Sequence, residues 1–145
     1  MANEATIITA TTILAQASGA STIAASGGLC AAADVGVVTN AGTSDYPLMS
    51  LEFRGAFASG ALDGESISFY VQRAGEGDVD ANNMTGFVGS VVIDSVPTAE
   101  QTVILDGVPC PVGVDFDIWV ENNTTGEIST TWDLDVTPYT YGTAA

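Results

Sequence analysis

The sequence predicts an all-β protein, an antiparallel β-sandwich of the jelly-roll or immunoglobulin-like kind with an extended N-terminal arm. Several segments alternate apolar and polar residues with a period of two, which places one face of a strand in a core and the other in solvent. Glycine, asparagine, aspartate and proline punctuate the gaps between them, and no segment carries a helical period. The 145 residues suffice for one two-layer domain. A hydrophobic share of 46% against 14% charged residues excludes a disordered chain.

Taken in order, Ala5 to Ala15 is rich in threonine and isoleucine, which favours an extended arm over a helix, with Ile7, Ile8, Ile13 and Leu14 as its contact residues. Gln16 to Thr43 consists largely of Ala, Gly, Ser and Thr, whose small side chains give a core little, so residues 1–43 read as arm and linker and 44–145 as the sandwich. After Tyr46-Pro47 the texture changes. Met49, Leu51, Phe53 and Phe57 share one parity, and Ile67, Phe69 and Val71 repeat the pattern after a glycine-marked turn. Ala74 to Thr85 has the composition of a surface loop. Gly86 to Val96 is apolar on both parities, as in a central strand covered on both faces or one passing through an oligomer contact. Gln101 to Leu105, Phe116 to Glu121 and Ile128 to Val136 complete the set, with Asn122 to Gly126 as a tight turn joining the last two.

Charge narrows the partners. Eighteen acidic residues oppose two basic ones, Arg54 and Arg73, for a net charge of −16 without lysine or histidine. Phosphate backbones and anionic membrane surfaces are both bound through Lys and Arg, so neither nucleic acid nor membrane is an expected partner. Protein, carbohydrate and cations remain. Cys30 and Cys110 have no metal-ligand spacing and read as free thiols in a reducing compartment, because the acidic Met1-Ala2-Asn3-Glu4 start and the threonine-broken segment after it do not resemble an export signal.

The chain lacks most catalytic equipment. Without histidine there is no Ser/His/Asp or Cys/His relay, and without lysine no Schiff base or P-loop. Two carboxylates could in principle serve a glycosidase, but Asp115 with Asp117 and Asp133 with Asp135 sit two apart on strands, as on ordinary solvated faces. Glu76, Asp78, Asp80 and Asn82 alternate like the start of a calcium loop. Counted from Asp78, however, the sixth and twelfth positions are Asn83 and Gly89 rather than glycine and an acid. No enzyme activity, cofactor or metal is expected. Trp119 falls on the parity opposite Phe116, Ile118 and Val120, which makes it either an outward contact residue or an indole covered by a second layer.

The C-terminal two thirds carry a resemblance. Gly86-Phe87-Val88-Gly89-Ser90-Val91-Val92-Ile93-Asp94, Leu105-Asp106-Gly107-Val108-Pro109, Val120-Glu121-Asn122-Asn123-Thr124 and Thr131 to Tyr141 occur in that order after Tyr46-Pro47-Leu48. Together they resemble small virion proteins of tailed bacteriophages, of the capsid decoration or cement type. The resemblance implies a structural protein made in the host cytoplasm that binds the outer capsid surface and stabilises the head. Its partners would be the major capsid protein and further copies of itself in a homotrimer. The arm would then add a strand to a neighbour's edge, with Trp119, Tyr139 and Tyr141 at protein contacts. The alternative is a tail or fibre sandwich that binds carbohydrate or a receptor through Trp119, Tyr70, Tyr139 and Tyr141.

Overall fold

A computed structural model describes residues 5–9, 13–14, 21–38, 46–58, 64–74, 86–94 and 99–143. The chain runs through β1 (Ala5–Thr9), β2 (Ile13–Leu14), β3 (Gly28–Leu29), β4 (Val37–Val38), β5 (Leu48–Ala56), β6 (Ser66–Arg73), β7 (Phe87–Val92), β8 (Glu100–Pro109), β9 (Phe116–Asn122) and β10 (Asp133–Thr143). These form two antiparallel sheets, and among the described residues there is no α-helix. The first sheet has the order β1-β10-β5-β8, with β2 also on β10; the second has β3-β9-β6-β7, with β4 also on β9. From β5 to β10 the chain passes between the layers repeatedly, so that β5 and β8 pair in one sheet and β6 and β7 in the other. That is the jelly-roll arrangement.

The inner faces follow the sequence pattern. Met49, Leu51 and Phe53 from β5 and Leu134 and Val136 from β10 face Ile67 and Phe69 from β6 and Phe116, Ile118 and Val120 from β9, all buried. Phe53 sits at the centre, stacked on Trp132 with centroids 6.0 Å apart and tilted against Phe57 and Phe69 at 6.4 Å. Each such side chain contributes about 1.5–3 kcal/mol on burial. The core needs Gly55 to stay bare, because a Cβ there would lie 2.9 Å from the Phe53 ring.

Four expectations are corrected by this arrangement. Segment 21–38 is core material: Ile23, Cys30 and Val38 are buried, and β3 and β4 extend the second sheet beside β9. The residues expected to form a free arm instead pair within their own chain, Ile7 with Tyr141, Ile8 with Thr140, Ile13 with Val136 and Leu14 with Asp135. Residues 86–94 of the segment expected to be central are not a central strand. They give β7, which ends the second sheet among the described residues and leaves Phe87 and Val92 exposed. Finally, β9 and β10 do not form a hairpin, since they belong to different sheets.

The reason for the last difference is a buried polar knot. Asn122 Nδ2 donates to the carbonyls of Ile23 and Gly126, at 3.2 and 2.8 Å, while its Oδ1 accepts from Thr124 N–H at 3.1 Å. The Thr124 hydroxyl lies 2.8 Å from both Asn122 Oδ1 and the Gly126 carbonyl, donating to one at a time, and accepts from Gly126 N–H at 3.1 Å. The Asn122–Gly126 turn is thus satisfied internally and carries the chain over to the other layer. Ile128 follows, bridging to Ile23 and Phe57. A second irregularity extends β8 past Leu105, where the register on β5 shifts between Met49 and Leu51. Gly107, at φ 67°, accommodates the extra residue.

Candidate functional site

The outer face of the second sheet gathers the side chains best suited to hold a ligand. Along β6, Ser68, Tyr70 and Gln72 point away from the core; opposite them in register on β9 stand Glu121, Trp119 and Asp117. Beyond Tyr70 lies Phe87 of β7, edge-on to the tyrosine ring with centroids 5.6 Å apart. A register shift between Phe69 and Tyr70 creates this pair: Phe69 opposes Gly89 and Tyr70 opposes Phe87, so one residue of β7 is skipped. Phe87 is thereby turned to the outer face, where it is 60% exposed. Sequence reasoning missed it, since a bulge leaves no mark in an apolar run.

Polar groups frame the aromatic strip. Tyr70 O–H donates to Glu121 Oε1 at 3.4 Å, and burial together with that carboxylate pushes the phenol above its ordinary range. Ser68 and Ser90 share a 2.8 Å hydrogen bond, and Asn123 Nδ2 donates to Ser68 Oγ at 2.9 Å. Asp117 Oδ1 and Trp119 Nε1 are buried without a hydrogen-bond partner among the described residues, and burial raises the Asp117 pKa. Beside the strip opens a cleft of about 390 Å³ lined by Val71, Gly86, Phe87, Val88 and Pro109 to Pro111. Phe87 belongs to both. The Cys110 thiol in that wall is pushed up to about 11 by burial and is no nucleophile near neutral pH.

Of the residues singled out in the sequence, Tyr70 and Trp119 stand opposite each other on β6 and β9, and Ile7 and Tyr141 on β1 and β10. Trp119 keeps the outer parity but is only 4% exposed, so the outward reading is corrected and the indole is a covered one. Tyr139 is also buried, with its hydroxyl donating to Asp106 Oδ1 at 3.0 Å; it pins the β8 bulge instead of presenting a surface. Tyr141 stands in register with Ile7, and the side chains of Ile7, Ile8, Ile13, Leu14 and Tyr141 lie outside the described residues, as does the acidic segment 76–82. Cys30 and Cys110 are buried thiols. Cys30 Sγ accepts from Val120 N–H at 3.3 Å, and its pKa is raised to about 11, chiefly by burial.

The acidic pairs separate. Asp133 and Asp135, on the outer face of the first sheet, converge on Arg54: its guanidinium reaches Asp133 at 2.6 Å, Asp135 at 2.8 Å and Glu52 at 2.8 Å. Those carboxylates raise the arginine's pKa and lock it in the charged form. Such a cluster is occupied by its own cation. No group of three His, Cys, Asp or Glu residues among the described ones could hold a metal ion.

No family model and no curated protein matches the chain. Among solved structures, the chain is similar to the C-terminal carbohydrate-binding module (CBM6) of LamC, a marine laminarinase from Zobellia galactanivorans. The TM-score is 0.52 at 14% identity, over 87% of this chain and 98% of that one. At that identity the likeness establishes the β-sandwich fold.

Proposed function

We propose that the protein is a non-catalytic jelly-roll module that binds a neutral carbohydrate on the outer face of its second sheet, as a tail or fibre module would. One observation carries the reading: the exposed Phe87 ring, which lines the cleft, set edge-on to Tyr70, whose hydroxyl reaches Glu121. Sugar rings lay their C–H faces on aromatic rings and give hydroxyl protons to carboxylates, and an apolar hollow with a few convergent polar groups is how small ligands are held. The net charge of −16 selects against acidic glycans. The fold neighbour, itself a carbohydrate-binding module, is consistent with this use of the sandwich.

A glycan array spanning neutral and acidic polysaccharides, followed by calorimetry on the best hit, tests the proposal. Neutral glycans should be retained, and Phe87→Ala or Tyr70→Ala should each weaken binding at least tenfold, about 1.4 kcal/mol. Retention of no neutral glycan, or binding indifferent to both substitutions, rules the site out.

Capsid decoration is the second reading. It is favoured by the order of the phage-like segments and by the uncharged, apolar surface that β7 exposes within an otherwise acidic protein. Its partner would be the major capsid protein on the outer shell. Co-sedimentation with empty capsids and, separately, with isolated tails distinguishes the two readings.

A further inference from the structure

We infer that the outer face of the second sheet takes ligands bearing an ammonium group, held by the Tyr70 and Phe87 rings and the Glu121 carboxylate. The inference rests on the reading of this face as a carbohydrate site and deepens it: the rings hold a neutral sugar, and an amine on that sugar adds a charge contact. Glu121 is only 9% exposed, and among the described residues its carboxylate receives a single hydrogen bond, from Tyr70 O–H at 3.4 Å, long for its kind. Asp117 stands on the same face of β9, its Oδ1 buried without a partner among the described residues. Between the two acids Trp119, 4% exposed, keeps an indole N–H with no acceptor there. Buried carboxylates are ordinarily paired with a cation. These two are not.

The chain's own side chains cannot supply the missing charge. Its basic residues are Arg54 and Arg73, with no lysine or histidine anywhere in the sequence. Arg54 lies on the first sheet, held by Glu52, Asp133 and Asp135, and Arg73, exposed at the end of β6, makes no ion pair with a described acid. The counter-charge therefore comes from solution. A metal ion is the poorer match, since no group of three candidate ligands forms among the described residues. An organic cation fits better, because aromatic faces attract ammonium groups and do so more strongly where water is excluded. Tyr70 joins both parts of the contact: its hydroxyl touches Glu121, and its ring meets the exposed Phe87 ring with centroids 5.6 Å apart.

An NMR titration of the full chain with tetramethylammonium chloride, against sodium chloride at equal ionic strength, tests the charge contact without a sugar. Shifts should be confined to Tyr70, Phe87, Glu121 and their neighbours, and Glu121→Gln and Phe87→Ala should each weaken binding about tenfold. Glu127→Gln, at an exposed acid beyond the Asn122–Gly126 turn, is the charge-matched control and should leave binding unchanged. Calorimetry with a glucosamine trisaccharide, its amines protonated, and with its neutral N-acetylated counterpart then joins charge to sugar. The free-amine form should bind about tenfold tighter at low salt, a margin lost in Glu121→Gln and shrinking as salt rises. Absence of tetramethylammonium shifts at Tyr70 and Phe87, shifts spread evenly over the acidic surface, binding indifferent to Glu121→Gln, or equal measurable affinity for the two trisaccharides overturns the inference; neutral glycan binding that needs Phe87 would then leave the carbohydrate reading standing. If neither trisaccharide binds, the tetramethylammonium result decides, and a Glu121-dependent site with no glycan retained on the array overturns the carbohydrate reading alone.

Discussion

The two outer faces of this sandwich handle their polar groups in opposite ways. On the first sheet, three carboxylates surround one guanidinium, and the cluster completes itself. On the second, an exposed phenylalanine packs edge-on against a partly buried tyrosine, that tyrosine reaches a glutamate through a long hydrogen bond, and two buried polar atoms have no partner among the described residues. Composition alone does not separate these faces, since both belong to half-buried antiparallel strands. What separates them is whether the side chains already satisfy one another, and a surface that leaves polar and aromatic groups uncommitted is the one available to a ligand.

That contrast depends on β9 and β10 lying in different sheets, so the strongest way to break it is at the Asn122 knot. Asn122→Ala removes the acceptor of the buried Thr124 N–H and two donated bonds at once. Leaving buried groups unpaired costs about 1–3 kcal/mol each, so the loss should be about 3 kcal/mol in a urea melt. A loss below about 1 kcal/mol would mean that the turn is held by its backbone and that the asparagine is incidental. Gly55→Ala acts on the shared core instead. Its methyl meets the Phe53 ring on one side and Trp132 Cβ, 3.2 Å away, on the other, and overpacking of this kind costs about 1–3 kcal/mol.

How far the sequence foretold this structure depends on which force dominates at each place. Period-two patterning identified the inward residues of β5, β6 and β9, from Met49 through Val120, because burial of one face is a local signal. It could not show that Asn122 to Gly126 leads to the opposite sheet, since that outcome rests on carbonyls supplied by Ile23 and Gly126. Nor could it promote the Ala- and Gly-rich segment 21–38 to core, where Ile23 and Cys30 are held by backbone bonds to Ile128 and Val120. The candidate site was legible in part. Tyr70 was identified, whereas Phe87 owes its exposure to a bulge and Trp119 loses its exposure to tertiary cover, and neither effect is written in parity.

The closed face can be opened with one substitution. Arg54→Met keeps the aliphatic stem over β5 but leaves Glu52, Asp133 and Asp135 close together without a cation. These side chains are partly exposed and each pair is worth less than about 1 kcal/mol, so the total should be about 1 kcal/mol at low salt. Thermal melts at low and high ionic strength check it. The deficit should shrink as salt screens the three acids, whereas a deficit unchanged by salt would assign the arginine a packing role.

The smallest effect sharpens the comparison most, because it probes the open face without a ligand. Burial raises the Asp117 pKa in the folded protein above its unfolded value, so the fold favours the protonated acid. For a carboxyl shifted in this direction, folding is unpenalised below the unfolded pKa. A cost then develops as pH rises through the folded pKa, and it persists at neutral pH. Asp117→Asn removes that cost and should raise Tm at pH 7, with the advantage shrinking as pH falls through the folded pKa and absent below about 4. Asp133→Asn, on the closed face, should shift Tm the other way, since there the charge is paired with Arg54. If both substitutions moved Tm in the same direction, the two faces would not differ in the way their hydrogen bonds indicate.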